Sequence, residues 1–135
     1  MPKLPVVRDY MDRHVATLRP ETSILDAVGL LLEKRVTGAP VVDQSGRLIG
    51  IVTEKDCLRL VAAGEGGQLP RGTVGSIMTP NPETIPPDMD VYFAAGLFLT
   101  RPFRRFPVVE DGRLVGAITR FDILRVLRAN LWSIV

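Results

Sequence analysis

Apolar positions along this chain fall into a pattern that is written twice. Ile24, Ala27, Val28, Leu31 and Leu32 recur at the spacing of one helix face, and Ser23 before them is a good N-cap, so a helix is predicted from Ser23 to about Lys34. Two short β-branched runs follow, Ala39 to Val42 and Leu48 to Val52, separated by the hairpin-like Asp43-Gln44-Ser45-Gly46. Thr53 then opens a second helix with apolar positions at Leu58 and Val61. The order returns downstream: a helix from near Asp90, two strands around Glu110-Asp111-Gly112, and a helix from Thr119 carrying Leu124 and Leu127. With a leading strand in each half, holding Thr17 and Thr84, each reads β-α-β-β-α, an α+β (α/β) architecture.

The recurrence is also one of identity. Pro40 to Val61 aligns with Pro107 to Leu127 over 21 pairs, of which 11 are identical, once a residue is dropped from the first turn. Val7 and Val74, Met11 and Met78, Thr17 and Thr84, Pro20 and Pro87, and Pro40 and Pro107 are all 67 apart. After the turn the offset is 66, as in Gly50 and Gly116. A tandem repeat predicts pseudo-twofold symmetry and two related clefts. The expected division is 1–63 for the first repeat, 64–73 for a Gly-rich linker and 74–135 for the second, and halves this small are expected to fold together.

Composition narrows the classes. Apolar residues at 46% and charged residues at 24% are ordinary globular values. The longest apolar run, Val91 to Leu99, is far below the roughly 20 residues that span a bilayer. The first residues lack an apolar signal core and Cys57 has no partner in the chain, which favours the cytoplasm. Lys plus Arg exceed Asp plus Glu by 17 to 15, too little for a general nucleic-acid binder. Arg101, Arg104 and Arg105 form the one local cluster, without an aromatic stacking platform beyond Phe103 and Phe106. A single histidine, His14, and a single cysteine leave no material for a metal cluster or a nucleophile–base pair, and Gly64, Gly66 and Gly67 lack the context of a phosphate loop. The chain is not expected to be an enzyme.

Val7-Arg8-Asp9-Tyr10-Met11 and Val74-Gly75-Ser76-Ile77-Met78 at the two starts, Gly38-Ala39-Pro40-Val41-Val42 and Arg105-Phe106-Pro107-Val108-Val109 in the middles, and the Gly50 to Asp56 and Gly116 to Asp122 stretches near the ends carry a family resemblance. Together they cover nearly the whole chain, which resembles a tandem pair of cystathionine-β-synthase (CBS) domains with nothing substantial left for another domain. The resemblance implies two repeats packed sheet to sheet, association into disc-like dimers, and adenosine-containing ligands in clefts between the halves.

The same resemblance nominates residues. Thr53 and Asp56, and Thr119 and Asp122, occupy the ribose motif, where a carboxylate accepts from two vicinal hydroxyls and the Thr hydroxyl and nearby amides suit a phosphate. The T-x-x-D pattern is equally a helix capping box, although Glu or Gln is the preferred reciprocal partner, and the shorter Asp favours the ligand reading. Gly38, Ala39 and Pro40, and Arg105, Phe106 and Pro107, sit at the adenine-edge position, with Ala39, Val41, Phe106 and Val108 as apolar walls or as ordinary buried strand residues. Arg104 and Arg105 match phosphate-reaching positions, where the first half has Thr37 and Gly38 instead, so unequal clefts are expected. Thr17 and Thr84 are candidate edge contacts. The function expected is regulatory binding of AMP, ADP or ATP, with no catalytic cofactor, reported through conformational or assembly change by a homodimer acting on an unknown target protein. A ligand-free interaction module and an S-adenosylmethionine sensor are the alternatives.

Overall fold

The computed structural model describes residues 4–64 and 71–131, so most of the expected linker, 65–70, lies outside the described residues. The chain forms two compact units. One is 16–82; the other joins the residues before 16 to those from 83 onward.

In the 16–82 unit, α1 (Ile24–Lys34) starts where Ser23 Oγ accepts from the Asp26 N–H at 3.1 Å. It ends at Arg35, whose left-handed φ of 54° lets the Val36 N–H reach the Leu31 carbonyl. Ile24, Ala27 and Leu31 are buried, but Leu32, expected on the same face, is 74% exposed because it lies roughly 100° around the helix from Leu31. β1 (Gly38–Val42) and β2 (Leu48–Thr53) pair antiparallel. Their turn is held by Asp43, whose Oδ1 accepts from the Ser45 N–H and hydroxyl and from the Arg47 N–H. The leading strand is present as one parallel bridge, Leu18 to Val41, and Pro20, which has no N–H, prevents its extension. α2 (Glu54–Ala63) follows β2 directly. α3 (Val74–Ile77) and β3 (Thr79–Pro80) complete the unit, β3 pairing with Gly50 and Ile51 to give the sheet order β1-β2-β3.

The second unit repeats this plan. α4 (Val91–Thr100) is capped by Asp90, whose Oδ1 accepts from the Phe93 N–H at 2.8 Å. β4 (Arg105–Glu110) and β5 (Arg113–Thr119) form a hairpin through Asp111 and Gly112, both at positive φ (53° and 80°), a two-residue mirror-type turn that accounts for the residue missing relative to the first repeat. α5 (Arg120–Val126) runs on into a π-helical turn, Leu127–Leu131. A parallel bridge, Ile85 to Val108, stands for the leading strand.

The opening segment of each repeat packs in the unit formed by the other. Val7 to Asp12 lies with the second repeat: the Val7 N–H bonds the Met89 carbonyl at 2.9 Å, and Asp12 and Ala117 exchange backbone bonds at 2.9 and 3.0 Å. Val74 to Thr79 lies with the first: the Val74 N–H bonds the Thr22 carbonyl at 2.8 Å. Both valines are fully buried. The crossing needs glycine beneath it. A Cβ on Gly50 would come within 2.6 Å of Met78 Sδ and 3.0 Å of the Thr79 carbonyl; one on Gly116 would come within 2.7 Å of the Asp12 carbonyl and 2.8 Å of Met11 Sδ. That close approach positions Thr79 and Asp12 over the ends of their sheets.

Candidate functional site

β2 and β5 each end in a threonine that starts a helix, and the T-x-x-D box closes at both. Asp56 Oδ2 accepts from the Thr53 N–H at 2.9 Å and hydroxyl at 3.1 Å, and the Asp56 N–H returns a bond to Thr53 Oγ1 at 3.3 Å. Asp122 and Thr119 do the same at 2.8, 3.1 and 3.3 Å. Aspartate is therefore long enough for the reciprocal cap, and the inference drawn from its shortness does not hold. Capping uses one carboxylate oxygen; the other remains for a second task.

At Asp56 that second oxygen is engaged. Oδ1 accepts from Arg59 Nη1 at 3.0 Å and from the Thr79 hydroxyl at 3.2 Å, and the residue is only 6% exposed. Cys57 beside it is a protonated thiol, its pKa pushed up by burial and by the Asp56 charge.

At Asp122 the arrangement opens. Oδ1 meets Arg125 Nη2 at 3.1 Å, and the Asp122 side chain is 15% exposed against 4% for Asp56. The place of Thr79 is taken by Asp12, which has no proton to donate and whose Oδ1 accepts from the His14 N–H at 2.9 Å. Met11, Asp12, Arg13, His14, Asp122 and Arg125 line an open, shallow cleft of ≈ 380 Å³. Arg105, opposite Thr119 in the hairpin where Gly38 stands opposite Thr53, lies in the field of the same carboxylates. Burial pulls its guanidinium below the usual range, and Asp12 and Asp122 pull it back.

The remaining candidates are distributed unevenly. Ala39, Val41, Phe106 and Val108 are at most 1% exposed, so their side chains belong to the cores and only their main chain is left for a base. The Pro40 and Pro107 carbonyls already accept from the Leu18 and Ile85 N–H groups at 2.8 and 3.1 Å. Thr17, Thr84 and Arg104 are exposed. Arg101, part of the basic cluster, is held by both carboxylate oxygens of Glu83 at 3.0 and 3.1 Å. Asp12, Arg13 and Arg125 were not singled out from the sequence. The signal available was the offset of 67, which puts Asp12 opposite Thr79.

The CBS domain family pattern matches residues 7–63 and 74–129. The chain belongs to the CBS domain family. It is 33% identical over 147 aligned positions to the chloroplastic CBS domain-containing protein CBSX2 of Arabidopsis thaliana, covering 88% of this chain and 62% of that protein. To YhcV of Bacillus subtilis it is 35% identical over 118 positions, covering 87% of this chain and 81% of that one. The chain thus spans less than two thirds of CBSX2. The crystal structure of CBSX2 in complex with AMP matches with a TM-score of 0.79 at 35% identity over 93% of this chain and 97% of that one. The CBS domain pair of MJ0100, solved with 5′-methylthioadenosine and S-adenosyl-L-methionine, matches with a TM-score of 0.77 at 30% identity over 94% of this chain and 98% of that one. No helix among the described residues is long and apolar enough to cross a membrane.

Proposed function

We propose that this chain is a non-catalytic regulatory sensor of an adenosine-containing ligand, with AMP, ADP or ATP the favoured class. The observation that carries the reading is the cleft at Asp122: a carboxylate suited to a ribose diol lines it together with Arg13 and Arg125, cations suited to phosphate, and lies in the field of the half-buried Arg105. The AMP complex of CBSX2 supports it. The ligand shifts conformation or assembly only by as much as it binds one state better. S-adenosylmethionine is the second reading, favoured by the MJ0100 complex and by a second carboxylate, Asp12, in the same cleft, which suits a cationic ligand.

The chain pairs with a second copy and acts on a target protein in the cytoplasm. Support for pairing is the large apolar side chains left in solvent, among them Leu32 on α1, Phe93 and Leu99 on α4, and Phe121 and Leu124 on α5. A role in binding nucleic acid is not favoured, since the basic cluster is small and Arg101 is committed to Glu83.

Thermal-shift titration with adenine and guanine nucleotides tests the reading. Ligand at 100 times its dissociation constant stabilises by about 2.7 kcal/mol, and guanine nucleotides are expected to do much less. No shift with any adenosine ligand would leave a ligand-free interaction module. Sedimentation at tens of micromolar tests the dimer.

A further inference from the structure

We infer that the two T-x-x-D carboxylates have divided their work, so that Asp122 alone receives ligand while Asp56 is a closed structural group latched by Thr79, and each chain takes one adenosine ligand rather than two. The inference rests on the adenosine reading above. It follows from counting acceptors: a carboxylate offers about four lone-pair sites, and at Asp56 four donors already fill them, the Thr53 N–H and hydroxyl on Oδ2 and Arg59 and Thr79 on Oδ1. With Asp56 only 6% exposed, a ribose diol would have to displace Arg59 and Thr79 from Oδ1, the one oxygen that capping leaves.

Asp122 keeps the two capping bonds but, among the described residues, only Arg125 meets its Oδ1, and the Asp122 side chain is 15% exposed against 4% for Asp56. The position that supplies the latch in one unit supplies Asp12 in the other, and a carboxylate cannot donate to a carboxylate. The difference traces to one pair of repeat-equivalent residues, Thr79 and Asp12, each carried over its sheet by a methionine resting on a glycine. Arg105 in place of Gly38 adds a cation on the open side and none on the closed one.

Titration calorimetry on the full chain with AMP, ATP and S-adenosylmethionine separately, and with 2′-deoxy-AMP, decides this. The expected result is one ligand per chain, with about tenfold or greater weakening on loss of the 2′-hydroxyl or in Asp122→Asn, and less than about twofold change in Asp56→Asn. Two ligands per chain, or an affinity that follows Asp56 instead of Asp122, would overturn the division while leaving the adenosine reading intact. No heat with any of the three ligands would remove both. The wild-type stoichiometry and the deoxy comparison need no variant, so a folding defect in either substitution does not block the test.

Discussion

The 16–82 unit and its counterpart share a strand-end threonine, a capping aspartate and an arginine one turn later, yet one carboxylate is sealed and the other faces a cleft. Asp56 and Asp122 begin identically, each bonded through Oδ2 to its threonine. What separates them is the residue delivered by the opening segment of the opposite repeat, Thr79 in one case and Asp12 in the other. The repeat thus provides two copies of a local device, and a non-local contact determines whether the copy is a helix cap alone or a cap with a free edge. The cores differ as well: the buried Phe98 and Phe106 in one unit replace Leu31 and Ala39 in the other, and the exposed Phe103 replaces Val36, the rings meeting Phe106 edge to face at 4.8 and 5.7 Å.

The largest effect is expected from the cores. Phe106→Ala should cost about 3–5 kcal/mol in denaturant unfolding, whereas Ala39→Gly at the equivalent position should cost far less. Near-equal losses would mean that the aromatic cluster adds nothing to its unit. The carboxylates come next. Asp56→Asn removes acceptor strength from two charged or polar donors at a buried site and should cost about 1.5–3 kcal/mol, against about 1 kcal/mol or less for the more exposed Asp122→Asn. A reversed order in melting temperature would contradict the sealed-versus-open distinction.

The latch itself is tested by exchange. Thr79→Val should lose about 1 kcal/mol and show little further loss when combined with Asp56→Asn, since both remove the same bond. Asp12→Thr supplies Asp122 with the missing donor, and should raise stability slightly while weakening AMP by about tenfold in the same titration. Additive losses in the first pair, or unchanged AMP affinity in Asp12→Thr, would show that this residue pair does not govern the difference. The smallest effect belongs to the turns. Asp43 is held below the ordinary carboxylate range by the Ser45 hydroxyl and the Arg47 N–H, with the Ser45 N–H and the Arg47 charge adding, so its contribution is fully present above the unfolded-state range and is lost as pH falls through the lower folded value. Acid unfolding of Asp43→Asn should therefore differ from wild type at neutral pH and converge with it in strong acid.

Much of this was readable without coordinates where the physics is local. Ser23, Asp90, Thr53 and Thr119 cap the helices expected of them because a side-chain oxygen satisfies an N–H three residues on whatever the rest of the chain does. Short β-branched runs flanking turn residues placed β1, β2, β4 and β5, and the one-residue slip in the repeat lay between two turns of different chemistry. The leading strands shrank to single bridges because Pro20, Pro86 and Pro87 cannot donate, a limit present in the sequence but overridden there by the strength of the pattern.

What the sequence by itself determined is the repeat, which is read from identities alone, and the order and caps of its elements with the two aspartates at matching strand ends, which depend on residues within a few positions of one another. Only the tertiary structure decided which aspartate receives a hydroxyl on its second oxygen, because that depends on a hydroxyl 23 positions from Asp56 and on a carboxylate about 110 positions from Asp122, brought near by the crossing of opening segments over Gly50 and Gly116. A hydrogen bond is made or denied by atoms in space, and identical motifs in a chain carry no record of which donor the fold will bring to them.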